Sequence, residues 1–226
     1  MIQVLEFEYK YDNKQAVINS IESSIALLNY AKPKPRSVII PGEMDSFPDE
    51  IEGGLVKREQ TPEGVLFSTD DGGPGFQIES SMYQDKSAVD LVSGIFNIIK
   101  QAHKDNTDEE FLPFYQHSWV FVSPPTEQIN NYHNHLVFNN TFPYDVPTYT
   151  WVYYLQLPNN CEGDDGKLSF KDDNEIYNLD IQPDTIYVFP ADLDHKANLS
   201  PLSTVNRITL AGNILIPGSE KSMISE

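Results

Sequence analysis

The stretch that decides the fold begins Trp119-Val120-Phe121-Val122 and continues to residue 216 as a series of short, mostly apolar runs. Pro, Asn, Asp and Gly separate these runs, and such residues mark the turns between strands that reverse direction. Many short strands at this spacing are typical of a β-sandwich or a jelly roll. The strands predicted after the first span residues 130–138, 149–157, 167–170, 176–179, 186–189 and 207–216.

The first half of the chain predicts helices and a few further strands. Residues 13–31 carry apolar side chains at helical spacing, and the prolines at 33 and 35 end that pattern. A second helix is predicted over residues 87–103, with Ser87 as its N-cap, followed by a short helical turn at 107–111. Alternation predicts an opening strand within residues 1–9. Short strands are expected at 37–40 and 65–68, with loops over the rest of 41–75.

These patterns together predict an α+β chain, namely a double-stranded β-helix (jelly roll) with supporting N-terminal helices. Residues 1–115 are expected to form an N-terminal α/β extension that packs on the core. Residues 116–226 are expected to form the jelly-roll core, in one compact unit with the extension.

Composition limits the partners and the compartment. The net charge is −19, and the 15 Lys and Arg are scattered, so the sequence lacks the basic stripe that binds nucleic acid. Cys161 is the only cysteine, which excludes an intrachain disulfide and a cysteine-based zinc site. An intracellular, cytoplasmic setting is therefore expected. No apolar run approaches the roughly 18–20 residues that span a bilayer, and the first residues do not resemble a signal peptide.

Histidines carry the strongest indication of chemistry. His133-Asn134-His135 lies in a predicted strand, where residues two apart point to the same face. The two imidazoles can therefore converge on one metal ion. The plainer alternative is that both are polar residues on a solvated face of the sheet.

The residues that follow this pair form a recognisable order. Tyr153-Tyr154-Leu155 lies on the next strand, a Pro183-Asp184 turn leads into an apolar strand, and then come His195 and Arg207-Ile208-Thr209. This order resembles the 2-oxoglutarate and Fe(II)-dependent oxygenases over residues 116–217. It is most similar to their prolyl-hydroxylase-like branch and to uncharacterised oxygenase-like proteins, some from marine phages, so a phage-encoded origin is one expectation.

The resemblance implies cofactors and a role for each matching residue. The cofactors are Fe(II) and 2-oxoglutarate, with O₂ as the second cosubstrate, and His133 and His195 match the histidine ligands of the metal. Arg207 matches the arginine that binds the far carboxylate of 2-oxoglutarate, since its planar fork suits a carboxylate. Thr209 and Tyr154 match positions that contact the same carboxylate. The substrate to be hydroxylated is a prolyl or other protein residue, a small metabolite or a nucleobase.

The sequence departs from the family at one ligand. The usual first motif is His-x-Asp or His-x-Glu, whereas this chain has His135 at the third position. Three alternatives stay open: His135 is a ligand in a three-histidine site, a carboxylate such as Asp145 or Asp194 completes the site while His135 stands behind the ligands, or the site has degenerated and holds metal weakly or not at all.

The sequence also leaves three functions open. The first is a 2-oxoglutarate- and Fe(II)-dependent oxygenase. The second is a cupin-like metalloprotein that does not use 2-oxoglutarate, which a three-histidine site favours and Arg207 with Thr209 disfavours. The third is a non-enzymatic jelly roll with a structural or binding role, for example in a phage particle.

Overall fold

A computed structural model describes residues 3–31, 56–61, 64–69, 76–78, 85–109, 115–125, 132–135, 148–172, 175–216 and 221–224. These residues form two helices and two sheets, and every strand pair in the sheets is antiparallel. The helices are α1 (Lys14–Ala31) and α2 (Lys86–Thr107). The α+β class predicted from the sequence is therefore confirmed.

Eleven strands make up the sheets in the described part of the chain. In chain order they are β1 (Leu5–Glu8), β2 (Val56–Thr61), β3 (Gly64–Thr69), β4 (Phe76–Ile78), β5 (Tyr115–Ser123), β6 (Thr148–Gln156), β7 (Leu168–Asp172), β8 (Glu175–Leu179), β9 (Thr185–Pro190), β10 (Asp194–Ala197) and β11 (Arg207–Leu215). The larger sheet has the order β1-β9-β6-β11-β5-β4-β3-β2, and the smaller sheet has the order β10-β7-β8.

The central strands of the larger sheet bury both of their faces. All nine residues of β11 and the first eight of β6 are buried. Their side chains alternate between two hydrophobic clusters, because successive residues of a strand point to opposite faces. One cluster joins the larger sheet to the helices, and the other joins it to the smaller sheet.

The helix-side cluster is the main core. Leu91, Ile95 and Ile99 of α2 are fully buried in it, beside Trp151 and Tyr153 of β6. Each such apolar side chain contributes about 1.5–3 kcal/mol by leaving water. Of the helices described, none is both long and apolar enough to cross a membrane. Packing on the sheet thus accounts for the apolar stripe of α2.

The start of α2 differs from the prediction. The N-cap is Asp85 rather than Ser87, and its Oδ1 accepts hydrogen bonds from the backbone N–H groups of Ser87 at 2.7 Å and Ala88 at 3.2 Å. A carboxylate also suits the positive end of the helix dipole. At the other end, α2 continues past residue 103 and ends at Thr107. The short helical turn predicted at 107–111 therefore begins with the last residue of α2. Residues 110–111 lie outside the described part of the chain.

Three strands, β2, β4 and β10, escaped the sequence patterns. Residues 41–75 were expected to hold one strand near 65–68, but β2 pairs with β3 as a hairpin. The sequence of β2, Val-Lys-Arg-Glu-Gln-Thr, has no apolar alternation to reveal it. The same is true of β10, Asp-His-Lys-Ala. The strand predicted at 37–40 lies outside the described residues.

The first half of the chain contributes strands to the same sheet as the second half. β1 pairs with β9 at one edge, and β4 pairs with β5 and leads to β3 and β2 at the other. The division between an extension and a core at residues 115 and 116 stays a prediction. The shared ladder nevertheless joins both halves through backbone hydrogen bonds.

Gly94 of α2 allows the ring of Tyr9 to approach the helix. A Cβ atom at Gly94 would overlap the Tyr9 hydroxyl and lie 2.5 Å from its Cζ. The Tyr9 ring is itself held beside Tyr11 and Tyr153, with centroids 6.3 and 6.0 Å away.

Gly94→Ala is therefore expected to lower the free energy of unfolding by about 1–3 kcal/mol, although alanine is the better helix former by about 1 kcal/mol. In a Tyr9→Ala background the overlap is gone, and the same substitution is expected to be neutral or stabilising. Urea denaturation of the four proteins measures both effects, and an equal cost in the two backgrounds would contradict this account.

Candidate metal centre

The candidate site lies on the face of the larger sheet that is turned away from the helices. On β11, Ile208, Leu210 and Ile214 join the helix-side core, whereas Ala211 joins the cluster between the sheets. Alternation therefore directs every second residue of β11 to the site face. Those residues are Arg207, Thr209, Ala211, Asn213 and Leu215.

Three imidazoles meet at this face. One ligand-capable atom from each of His133, His135 and His195 lies within 4.8 Å of the others. The ring centroids of His133 and His195 are 4.5 Å apart, and those of His135 and His195 are 5.1 Å apart with nearly parallel planes. The convergence expected from the spacing of His133 and His135 is thus found, and their role as metal ligands stays a prediction.

Backbone hydrogen bonds bring the first two histidines to the third. His133 and His195 form an isolated bridge, with N–O distances of 3.0 and 2.8 Å, and the His135 N–H donates to Ala191 O at 2.7 Å. Of the strand predicted at 130–138, residues 132–135 are described, and they form this bridge rather than a longer ladder. The pairing fixes how far apart the imidazoles stand.

Of the two carboxylates considered as alternative ligands, the structure describes one, Asp194. Asp194 precedes His195 on β10 and so points to the opposite face, where its Oδ1 accepts from Asn134 Nδ2 at 2.8 Å. It is absent from the histidine cluster found among the described residues. Asp145 lies outside those residues.

His195 is held in the tautomer that binds metals. Its Nδ1 lies 2.9 Å from Leu193 O, and because a carbonyl only accepts, Nδ1 carries the proton and Nε2 carries the lone pair. Burial, followed by the nearby His133, lowers the pKa of His195 to about 3. The ring is therefore neutral near pH 7, as a metal ligand must be.

His135 has two neighbours that sequence reasoning did not identify. The Trp119 ring stacks on it at a centroid distance of 5.7 Å, and Asn213 Nδ2 lies 3.0 Å from its Nδ1. Asn213 could have been noticed as a polar residue of a mostly apolar strand, because it lies an even number of residues from Arg207 and Thr209 and so shares their face. The sequence held no comparable indication for Trp119.

Exposure changes across the cluster. His133 is exposed, His135 is half-buried and His195 is buried. The cluster therefore opens to solvent on the His133 side, and a small molecule could approach a metal ion from there.

Arg207 is a buried cation on the same sheet face. Its side chain is 2 % exposed, with Nη1 donating to Asn198 O at 2.7 Å and Nη2 donating to Ser123 Oγ at 3.1 Å. These bonds use two of the five N–H donors of the guanidinium. No carboxylate of the described residues pairs with it. An uncompensated buried charge costs several kcal/mol, so an anion beside Arg207 would be favoured.

Tyr154 and Thr209 lie beside Arg207 in the sheet. Thr209 is the cross-strand partner of Tyr154, and its hydroxyl donates to Phe121 O at 3.3 Å. Burial raises the pKa of the Tyr154 phenol, which the Arg207 charge partly offsets.

The donor set fits a divalent transition metal. Imidazole nitrogens suit iron, zinc, copper and nickel, and three of them leave further coordination positions for other ligands. The His195 Nδ1–H bond to a carbonyl is the orientation that ligating histidines ordinarily show. The three histidines could thus hold such an ion.

Comparison by sequence finds no relative. None of the protein-family models matches the chain, and no curated protein matches it significantly.

Comparison by structure does find similar proteins. A Trichoplax adhaerens prolyl hydroxylase, in complex with a hypoxia inducible factor oxygen degradation domain peptide fragment, has a TM-score of 0.54 and 13% identity, covering 99% of this chain and 87% of that one. EvdO2 from Micromonospora carbonacea var. aurantiaca, complexed with 2-oxoglutarate, has a TM-score of 0.56 and 10% identity, covering 98% and 89%. The α-ketoglutarate-dependent carbocyclase SnoK from nogalamycin biosynthesis has a TM-score of 0.52 and 10% identity, covering 95% and 80%. The chain therefore has the fold of these prolyl hydroxylases and 2-oxoglutarate-dependent enzymes.

Proposed function

We propose that this protein is an Fe(II)- and 2-oxoglutarate-dependent oxygenase that hydroxylates an organic substrate. One observation carries the proposal: three converging imidazoles share a sheet face with a buried arginine that has no carboxylate partner among the described residues. A cluster of histidines alone would be compatible with many kinds of metalloprotein. A buried arginine without a counter-charge would by itself lower the stability of the fold. Together they match a ligand that is a metal chelator at one end and a carboxylate at the other.

The proposed architecture is the double-stranded β-helix. Its support is the smaller sheet, whose Leu168, Phe170 and Leu179 pack against Tyr187 and Phe189 of the larger sheet. Two antiparallel sheets facing each other across such a cluster form the walls of a jelly roll. The site then lies between the walls, with His195 supplied by the smaller sheet.

The proposed metal ligands are His133, His135 and His195. When bound, Fe(II) supplies the binding of 2-oxoglutarate and O₂ and the redox chemistry that couples decarboxylation of the one to oxidation of the substrate. The residues position that ion: His195 is fixed by Leu193 O, and His133 by its backbone bridge to His195. Three neutral imidazoles leave the double charge of the ion uncompensated, which favours a dianionic cosubstrate.

Arg207 is the proposed partner of the far carboxylate of 2-oxoglutarate. Its remaining N–H donors can form charge-assisted bonds, which are stronger than neutral ones. Tyr154 would add its phenolic proton, while Thr209 would have to turn its hydroxyl away from Phe121 O to do the same. The cosubstrate thereby neutralises a charge that the fold has already buried.

The substrate of the proposed oxygenase is assigned only to a broad chemical class. The structural neighbours include a prolyl hydroxylase and a carbocyclase, so one fold serves different reactions. A prolyl or other protein residue remains within this class, as do small metabolites.

The metal site is tested by anaerobic titration of the protein with Fe(II) and then 2-oxoglutarate, followed by visible charge-transfer absorption. The wild type is expected to bind one Fe(II) and to develop the absorption on adding 2-oxoglutarate. His133→Ala and His135→Ala are expected to lose both. His103→Gln, which changes a buried histidine of α2 outside the cluster, is expected to retain them.

Two results would contradict the proposal in different ways. Metal binding without the 2-oxoglutarate absorption would favour a three-histidine metalloprotein of the cupin kind. Failure of the wild type to bind any divalent metal would reject the enzyme proposal and leave a jelly roll that acts by contact.

Arg207 is tested separately with Arg207→Met. Loss of charge-assisted hydrogen bonds worth about 1.5–3 kcal/mol each is expected to raise the Kd for 2-oxoglutarate by about 100-fold. The metal-free variant is expected to unfold at an unchanged or higher temperature, because methionine removes an uncompensated buried charge. Calorimetry of binding and of unfolding measures both, and a variant that binds 2-oxoglutarate like the wild type would contradict the assignment.

A further inference from the structure

Asn213 connects His135 to the interior of the sheet. Its Nδ2 lies 3.0 Å from His135 Nδ1, and its Oδ1 accepts from Thr150 Oγ1 at 2.9 Å. Thr150 and Asn213 are direct partners across β6 and β11, and both are almost fully buried. The backbone register therefore fixes the amide between the hydroxyl and the imidazole.

The proton on His135 decides whether this ring can bind a metal. Since Asn213 occupies the Nδ1 side, the ligating atom is Nε2, and Nε2 needs its lone pair. The proton must then be on Nδ1, where it requires an acceptor. For His195 that acceptor is Leu193 O. For His135 the group facing Nδ1 is the amide of Asn213.

The hydrogen-bond chain can run in either of two directions. In the direction described, Thr150 donates to Oδ1 and Nδ2 donates to Nδ1 of His135, so the ring keeps its proton on Nε2. If the amide turns by half a rotation, Oδ1 accepts from Nδ1–H and Nδ2 donates to the Thr150 hydroxyl. A hydroxyl serves in both, because it donates and accepts.

We propose that Asn213, which is hydrogen-bonded to Thr150, is the positioning residue whose amide oxygen turns to accept the Nδ1 proton of His135 when that ring binds a metal. This inference rests on the proposed metal site and goes beyond it by assigning a role to two residues that do not touch the metal. An asparagine at this position allows the ring to hold its proton on either nitrogen. Metal binding by His135 then requires the amide oxygen to face Nδ1.

The first test is the affinity for Fe(II), measured anaerobically by calorimetry. Asn213→Leu keeps the approximate size but offers no acceptor, and it is expected to raise the Kd for Fe(II) by about 10- to 100-fold. Asn213→Asp supplies a permanent acceptor and is expected to bind at least as tightly as the wild type. Thr150→Val is expected to raise the Kd for Fe(II) by less than Asn213→Leu does. The double variant Thr150→Val/Asn213→Leu is expected to have the same Kd as Asn213→Leu alone.

A matched control removes a buried hydrogen bond from the other face of the same sheet. Tyr149 lies on the helix side of β6, and its hydroxyl accepts from the backbone N–H of Met223 at 2.8 Å. Tyr149→Phe is expected to lower stability while leaving the affinity for Fe(II) unchanged. Equal weakening by Asn213→Leu and Asn213→Asp would indicate a packing role and overturn the inference.

The second readout is the protonation of the His135 ring in the protein loaded with diamagnetic Zn(II). Proton–nitrogen correlation spectra are expected to show the proton on Nδ1 in the wild type and in Asn213→Asp. If the wild type binds no metal, the proposed function and this inference both fail. If it binds metal and Asn213→Leu binds equally well, only this inference fails.

Discussion

The strict alternation of side chains along β11 is the constraint on which the rest of the molecule depends. All nine of its residues are buried, so every side chain has to suit one of two environments. Ile208, Leu210 and Ile214 complete the core beneath the helices. The residues that alternate with them, from Arg207 to Asn213, face the candidate site. A shift of one residue would exchange the two sets and put the guanidinium into the apolar core.

The same alternation explains why polar groups are tolerated so deep in the fold. Asn213 is satisfied by Thr150 and His135, and Arg207 is partly satisfied by Ser123 and Asn198 O. Hydrogen bonds compensate the amide, but the guanidinium keeps a net charge, and no carboxylate of the residues that the structure describes pairs with it. Fold stability is therefore lower than an apolar residue at position 207 would allow. We attribute this cost to binding, since an anionic ligand would recover it.

Much of this arrangement could be predicted from the sequence, because it follows from spacing along single strands. The apolar runs indicated most strands from β5 onward, and His133 and His135 were expected to share a face. Features that depend on neighbours distant in the chain could not be predicted. The polar strands β2 and β10 form by pairing with partners, and Asp85 competes successfully with Ser87 as a cap. The stacking of Trp119 on His135 joins two separate segments of the chain, and no local pattern specifies it.

The central claim is that one ligand bridges a metal held by histidines and the charge of Arg207. It is tested most directly by comparing 2-oxoglutarate with 2-oxopentanoate, which has the same chain length and no far carboxylate, on the anaerobic Fe(II)-loaded protein. The account predicts that the wild type binds 2-oxoglutarate about 100-fold more tightly and that Arg207→Met binds both ligands equally. Equal binding of the two ligands by the wild type would contradict it.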